Sequence, residues 1–182
     1  MKKLLVLFAV AFTVPALRAQ ELSVSTNLLD YADFATLNME ASFGVARHWS
    51  ISALARYNPF TFGSGDGTIL QRQQSYALGT RWWPWHVFSG WWLSGKVQYQ
   101  EFNEGGIQSR RTSQGDRFGT SLSAGYTYML TRHLNLELGL GFWGGYEIYT
   151  VYSCQHCGSV VDGGEKFFLL PDDMTLGLSF VF

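Results

Sequence analysis

The sequence predicts an all-β chain, an eight-stranded antiparallel up-and-down transmembrane β-barrel of the outer-membrane type. Three observations predict it. Large apolar and small polar residues alternate with a period of two through segment after segment, as strand side chains do when the two faces meet different surroundings. The segments are even in number, and long and short connections alternate between them, which is the pattern of a small membrane barrel. The polar face is built from Gly, Ser, Thr and Asn. These suit a cramped interior, whereas a water-exposed sheet would carry more Lys and Glu.

The first segment, Leu22 to Asp30, has Leu22, Val24 and Leu28 on one face. The second, Leu37 to Ala46, sets Leu37, Met39, Ala41, Phe43 and Val45 against Asn38, Glu40, Ser42 and Gly44. After a tight turn at Arg47-His48, Trp49 to Asn58 opposes Trp49, Ile51, Ala53, Ala55 and Tyr57 to Ser50, Ser52, Leu54, Arg56 and Asn58. A Gly-rich loop near residues 63–74 leads to Ser75 to Trp83, which Pro84 closes. The fifth segment, Trp91 to Phe102, opposes Trp91, Leu93, Val97 and Tyr99 to Ser94, Lys96, Gln98 and Gln100. A polar loop over residues 103–116 precedes Arg117 to Leu130, whose polar face is Gly119, Ser121, Ser123, Gly125 and Thr127. The seventh, Leu134 to Tyr149, sets Leu134, Leu136, Leu138, Leu140 and Phe142 against Asn135, Glu137, Gly139 and Gly141. A last long loop, residues 152–173, precedes the eighth strand at the C-terminus. The short turns near residues 47, 87 and 132 then lie on the periplasmic side, and the long connections face outward.

Export agrees with this address. Lys2 and Lys3 precede an apolar run from Leu4 to Val14, Pro15 breaks it, and Ala19 precedes Gln20. This is the tripartite pattern of a secretory signal peptide over residues 1–19, leaving residues 20–182 as the barrel domain. The run is short of the ~20 apolar residues that a membrane-spanning helix needs. Without Lys2, Lys3 and Arg18, the mature chain holds 10 basic and 14 acidic residues, a net charge of −4. The full chain is 47% hydrophobic and 15% charged, against about 25% charged in average globular proteins. No basic cluster points to nucleic acid, since Arg110-Arg111 is the only adjacent basic pair after the signal. Nothing implies a cofactor.

Alternation alone also fits a soluble eight-stranded barrel with an apolar interior. Tryptophans decide against it. Trp49, Trp82, Trp83, Trp85, Trp91 and Trp92 cluster at the short-turn end, where an interfacial aromatic girdle belongs. Tyr57, Tyr76, Tyr99 and Phe118 form the outer girdle. The chain ends Thr175-Leu176-Gly177-Leu178-Ser179-Phe180-Val181-Phe182. This tail resembles the C-terminal assembly signal of bacterial outer-membrane proteins, with Gly177, Phe180 and Phe182 at its marked positions. The resemblance implies outer-membrane lipid and the barrel assembly machinery as partners. Phe180 and Phe182 should face lipid, and Gly177 and Ser179 the lumen. The strand should pair with the first segment and remove the last edge.

Charges within the segments are few, and nearly all fall on the polar face, where Glu40, Arg56, Arg81, Lys96 and Glu137 come from five different strands. They share a middle layer of a lumen just wide enough for side chains. A packed ion network that plugs the barrel follows; a gated ion path or proton relay is the functional alternative. Cys154 and Cys157 are the only cysteines and lie in the last outer loop. An oxidising compartment favours a disulfide. A metal site with His156, or a redox motif, are the alternatives, short of ligands and of βαβ context respectively.

Some small outer-membrane barrels are enzymes acting on lipid A, and His48-Trp49-Ser50 has the His and Ser spacing of one such class. It lies at a short turn on the wrong side for outer-leaflet lipid, and His86 and His133 sit at other short turns. No His-Ser-acid set converges, so the reading is non-enzymatic, with a lipid-modifying enzyme as the alternative.

Thr26-Asn27-Leu28-Leu29, Tyr57-Asn58-Pro59-Phe60-Thr61-Phe62, Cys154-x-x-Cys157-Gly158 with Lys166, and Pro171 before the last strand form a set that spans the mature chain. On these motifs the chain resembles the small outer-membrane barrels of unknown function from Bacteroidota, often encoded near fimbrillin-type genes. The resemblance implies fold and location and no reaction. It adds a surface or fimbrial protein as a partner class. Phe167-Phe168-Leu169-Leu170 is more apolar than such a loop should be.

Overall fold

A computed structural model of the protein describes residues 22–63, 68–106, 111–154, 158–171 and 174–182. The segment read as a signal peptide lies outside them. The described residues are almost entirely antiparallel strand: β1 (Leu22–Asn27), β2 (Leu37–Ala46), β3 (Trp49–Asn58), β4 (Thr61–Phe62), β5 (Ile69–Trp82), β6 (Gly90–Gly105), β7 (Thr112–Met129), β8 (Leu134–Tyr152), β9 (Val160–Leu170) and β10 (Thr175–Val181). One short helix, α1 (Leu28–Ala32), follows β1. No helix among them is long and apolar enough to cross a membrane.

The strands form a ring. Sequence neighbours pair around the sheet, and β10 pairs on one side with β1, Ser23 opposite Val181, and on the other with β8, Gly177 opposite Glu137. The first and last strands thus meet as expected, and no edge is left at the terminal end. The turns at residues 47–48, 83–89 and 130–133 lie at this end with Leu22 and Phe182. The connection from β1 to β2, which contains α1, lies on the opposite side.

Polarity across the wall follows the alternation. Glu40, Arg81, Lys96, Gln98, Ser121, Glu137 and Ser179 are buried inside the ring, while Leu78, Leu93, Leu122, Leu140 and Phe142 are exposed on its outer side. The contrast is large: Leu122 is 72% exposed and Glu137 2%. A water-soluble barrel has the opposite arrangement.

The structure corrects the sequence reading in four places. Residues 28–32 are helix and not the end of the first strand. Asn27 caps α1 by accepting from the Leu29 amide at 3.3 Å, which is the conformation Asn favours at a helix start. Phe34 and Ala35, both at positive φ, then turn the chain into β2. Second, β5 to β8 reach well past their expected ends and absorb much of the loops read at 63–74 and 103–116. Third, the last long loop contains β9, which pairs with the upper part of β8, Glu147 opposite Lys166. That pairing accounts for Phe167-Phe168-Leu169-Leu170: Phe168 is buried against Trp143, ring centroids 4.7 Å apart, while Phe167 and Leu169 point outward. Between β9 and β10 the pairing to β8 slips by one residue, because Trp143 faces Leu170 but Gly139 faces Thr175. Inward residues are even-numbered in β9 and odd-numbered in β10.

The fourth correction concerns the tryptophans. Trp49, Trp82, Trp85 and Trp91 are exposed, but Trp83 and Trp92 are buried inside the ring. With Val87, Phe88 and Val181 they form an apolar core at the terminal end. Trp83 donates its indole N–H to the Ser50 hydroxyl at 3.0 Å. Trp92 lies across Gly125 and Gly139, where a Cβ would stand 2.3 and 2.7 Å from its ring. Those two glycines are therefore the space the indole occupies.

Candidate functional site

Polar side chains converge inside the ring, above the apolar core. Glu40 comes from β2, Arg81 from β5, Lys96 from β6 and Glu137 from β8, each on an inward-facing position. Arg81 donates from Nη1 to Glu137 Oε2 at 2.7 Å and from Nη2 to Glu40 at 3.0 Å. The Lys96 ammonium stands 3.3 Å from Glu40 Oε2. All four side chains are buried, and the Arg81 guanidinium also lies over the Trp92 ring at 4.7 Å. The Lys96 stem passes over Gly79, where a Cβ would sit 2.5 Å from Lys96 Cγ. A burial this deep is costly for an unpaired ion. Alternating signs and multiple hydrogen bonds offset that cost here.

The cluster leaves almost no room. The adjoining cavity measures about 20 Å³ and is lined by Ser25, Asn38, Arg56 and Thr175 among others, enough for roughly one water.

Four of the five expected charges thus meet. Arg56 is the exception. Its Nε donates to Asp30 Oδ2 at 2.8 Å, a partner supplied by α1. Asp30 escaped the sequence reading because its segment was taken as strand, which hides the inward turn of the helix.

A second charged group, nearer the far end, was also missed. Arg117 donates to Glu147 at 2.8 Å and to Glu104 at 3.0 Å. Lys166 of β9 reaches the other Glu147 oxygen at 3.2 Å. The Arg117 guanidinium packs over the Phe102 ring at 3.8 Å. The signal was present in parity, since Glu147 lies ten residues beyond Glu137 on the same face of β8. The expected loop at 103–116 obscured Glu104.

The other sequence candidates have simple placements. His48 Nδ1 contacts the Trp83 carbonyl oxygen at 2.9 Å, and Ser50 accepts from the Trp83 indole, so the His-Trp-Ser set is engaged in holding Trp83. Gly177 faces inward opposite Glu137, while Phe180 and Phe182 are exposed and in edge contact at 4.9 Å. Phe180 also stacks on His133 at 5.8 Å. Cys154 lies two residues beyond the end of β8; Cys157 lies outside the described residues. No group of three or more His, Cys, Asp or Glu side chains suited to a metal occurs among the described residues.

These observations define a class: an all-β antiparallel ring with a charged, filled interior and an apolar exterior. The family described as "Protein of unknown function (DUF3575)" matches residues 4–182, and the chain belongs to that family. No curated protein matches it.

Proposed function

We propose that the protein is a non-enzymatic β-barrel of a Gram-negative outer membrane, with a structural or surface-interaction role. The observation that carries this reading is the inverted polarity: buried Glu40, Arg81, Lys96 and Glu137 inside, exposed Leu78, Leu122, Leu140 and Phe142 outside. Lipid is the surrounding that makes an apolar exterior stable, and a sheet in lipid must close on itself. Counting β3 with β4, and β9 with β10, as two interrupted strands gives an eight-stranded barrel. Exposed aromatic residues support the same placement. Trp49, Trp82, Trp91, Tyr128, Phe180 and Phe182 ring the terminal end. At the far end Tyr76, Tyr99, Phe118, Tyr146 and Phe167 lie opposite one another along consecutive strands. Such belts belong at the two membrane interfaces.

On this reading residues 1–19 direct export, the C-terminal strand engages the barrel assembly machinery, and the ion cluster is a plug. Cys154 and Cys157 form a disulfide that shapes the outer loop, in keeping with an oxidising compartment. The displayed end addresses a surface protein, with the fimbrial class as one candidate. The test is fractionation with electrophoresis of unheated and heated samples. An outer-membrane barrel sediments with that membrane and changes mobility on heating; recovery as a soluble periplasmic protein refutes the reading. Comparison of lipid A from deletion and parent strains checks the absence of a reaction, since an altered acyl pattern would indicate an enzyme.

A further inference from the structure

A groove of about 780 Å³ opens on the outer side of β3 and β5 to β8, within the size range of small-ligand sites. Register fixes its height. Tyr76, Tyr99, Phe118 and Tyr146 oppose one another across consecutive strands as the aromatic belt. Two residues further along, Gln74, Glu101 and Asp116 form the next outward row, and Arg72, Asn103 and Gln114 the row after that. All six line the groove. At ~3.3 Å per residue and a strand tilt of about 35–45°, the rows stand roughly 5 and 10 Å above the belt.

The lining is rich in hydrogen-bond acceptors. Glu101 and Asp116 are directly opposite each other, where like charges repel. Among the described residues one donor serves both carboxylates. It is the Tyr99 hydroxyl, 2.7 Å from Asp116 Oδ1 and 3.0 Å from Glu101 Oε1. A hydroxyl has one hydrogen to give, so four carboxylate oxygens share it. Asn103 Oδ1 is buried with no hydrogen-bond partner. Gln74 and Gln114 donate from their amides to Tyr76 and Tyr152 at 2.8 and 2.9 Å, which engages a donor of each on the wall itself. Arg72 is the one cation in the lining, and its Nε is turned to Thr61 Oγ1 at 3.1 Å.

Such a lining selects a ligand that donates several hydrogen bonds and carries little negative charge. A phosphate only accepts, and here it would meet two carboxylates. A sugar offers several hydroxyls that both donate and accept, and neighbouring hydroxyls match the two oxygens of a carboxylate. Tyr57, 51% exposed at the end of the first row, supplies a ring for the apolar face of a pyranose.

We propose that this groove binds the sugar headgroup of a glycolipid in the surrounding leaflet. This rests on the outer-membrane reading above, which makes the belt an interface and sets the two rows at headgroup height. A lipid-linked sugar reaches the groove with its acyl chains lying beside the exposed Phe118, Leu122 and Leu140 on the wall below.

The test uses the full mature protein in detergent, with the protein and each variant first checked for heat-modifiable mobility. Native mass spectrometry then follows three probes: rough lipopolysaccharide, the oligosaccharide released from it, and phosphatidylethanolamine. The expected result is a saturable one-to-one complex with lipopolysaccharide that phosphatidylethanolamine does not displace, and weaker binding of the released oligosaccharide. Asn103→Ala combined with Asp116→Ala should weaken the complex about tenfold. Both positions face outward, so the interior is untouched. Glu101→Lys combined with Asp116→Lys separates sugar from phosphate recognition, since contacts to hydroxyls weaken and contacts to phosphates tighten. Tighter binding by the lysine pair overturns the proposal. So does equal affinity for phosphatidylethanolamine or for the released oligosaccharide, or a heat-modifiable protein that binds no lipopolysaccharide. Those results leave the barrel reading intact; it fails instead if the protein shows no heat-modifiable form before any probe is added.

Discussion

Arg81 Nη1 lies 2.7 Å from Glu137 Oε2, both side chains buried, on two strands that are not neighbours in the sheet. The pair crosses the interior of the ring, and Glu40 holds the same guanidinium from a third strand. Removing one carboxylate leaves a buried cation unmatched. Glu137→Ala should lower stability by about 3–5 kcal/mol, read as a shift in the urea unfolding midpoint of protein refolded in lipid. The combined replacement of Arg81 and Glu137 by Met and Leu should recover most of the loss. A midpoint unmoved by Glu137→Ala would show that the pair contributes nothing.

Trp92 occupies the space over Gly125 and Gly139. Gly125→Val should destabilise by about 1–3 kcal/mol through overpacking, and Trp92→Ala should relieve part of that penalty in the double variant. Simple additivity of the two effects would mean that the indole and the glycine do not share the space.

The interior beside the ion cluster holds about one water, so the protein should not conduct as a porin does. Planar-bilayer recordings should show no large, stable channel. Conductance of porin size would require the cluster to open and would revive the alternative of an ion path.

Phe182 is exposed and in contact with Phe180, which in turn stacks on His133 of the neighbouring turn. Deleting Phe182 should reduce the heat-modifiable fraction in cells while leaving refolding in detergent nearly unchanged, because the residue buries little within the ring. Normal assembly in cells would remove the tail from any role as a signal.

If Cys154 and Cys157 are joined, intact cells should label weakly with a thiol reagent until a reductant is added. Strong labelling without reductant would show free thiols.

The alternation of side chains carried most of the fold. Every inward position expected in β2, β3, β6 and β7 faces inward, because a period of two leaves a strand no choice once one face is fixed. Boundaries were less legible. Polar residues beyond Phe102 and before Arg117 look like loop, yet Glu104 and Arg117 meet across the hairpin and extend both strands. Trp83 and Trp92 misled for a related reason. Side-chain size and apolarity say that a tryptophan wants cover, and they do not say whether lipid or a glycine-lined interior supplies it. The partner of Arg56 was invisible because it comes from a helix, and no alternation marks a five-residue helix at a strand end.

The one-residue slip between β9 and β10 has a mechanical meaning. Closure of the ring runs through β10, β1 and the lower part of β8, and no hydrogen bond of β9 takes part in it. β9 is therefore a separately removable flap beside a fixed hoop. The flap can fray while the hoop beneath stays shut.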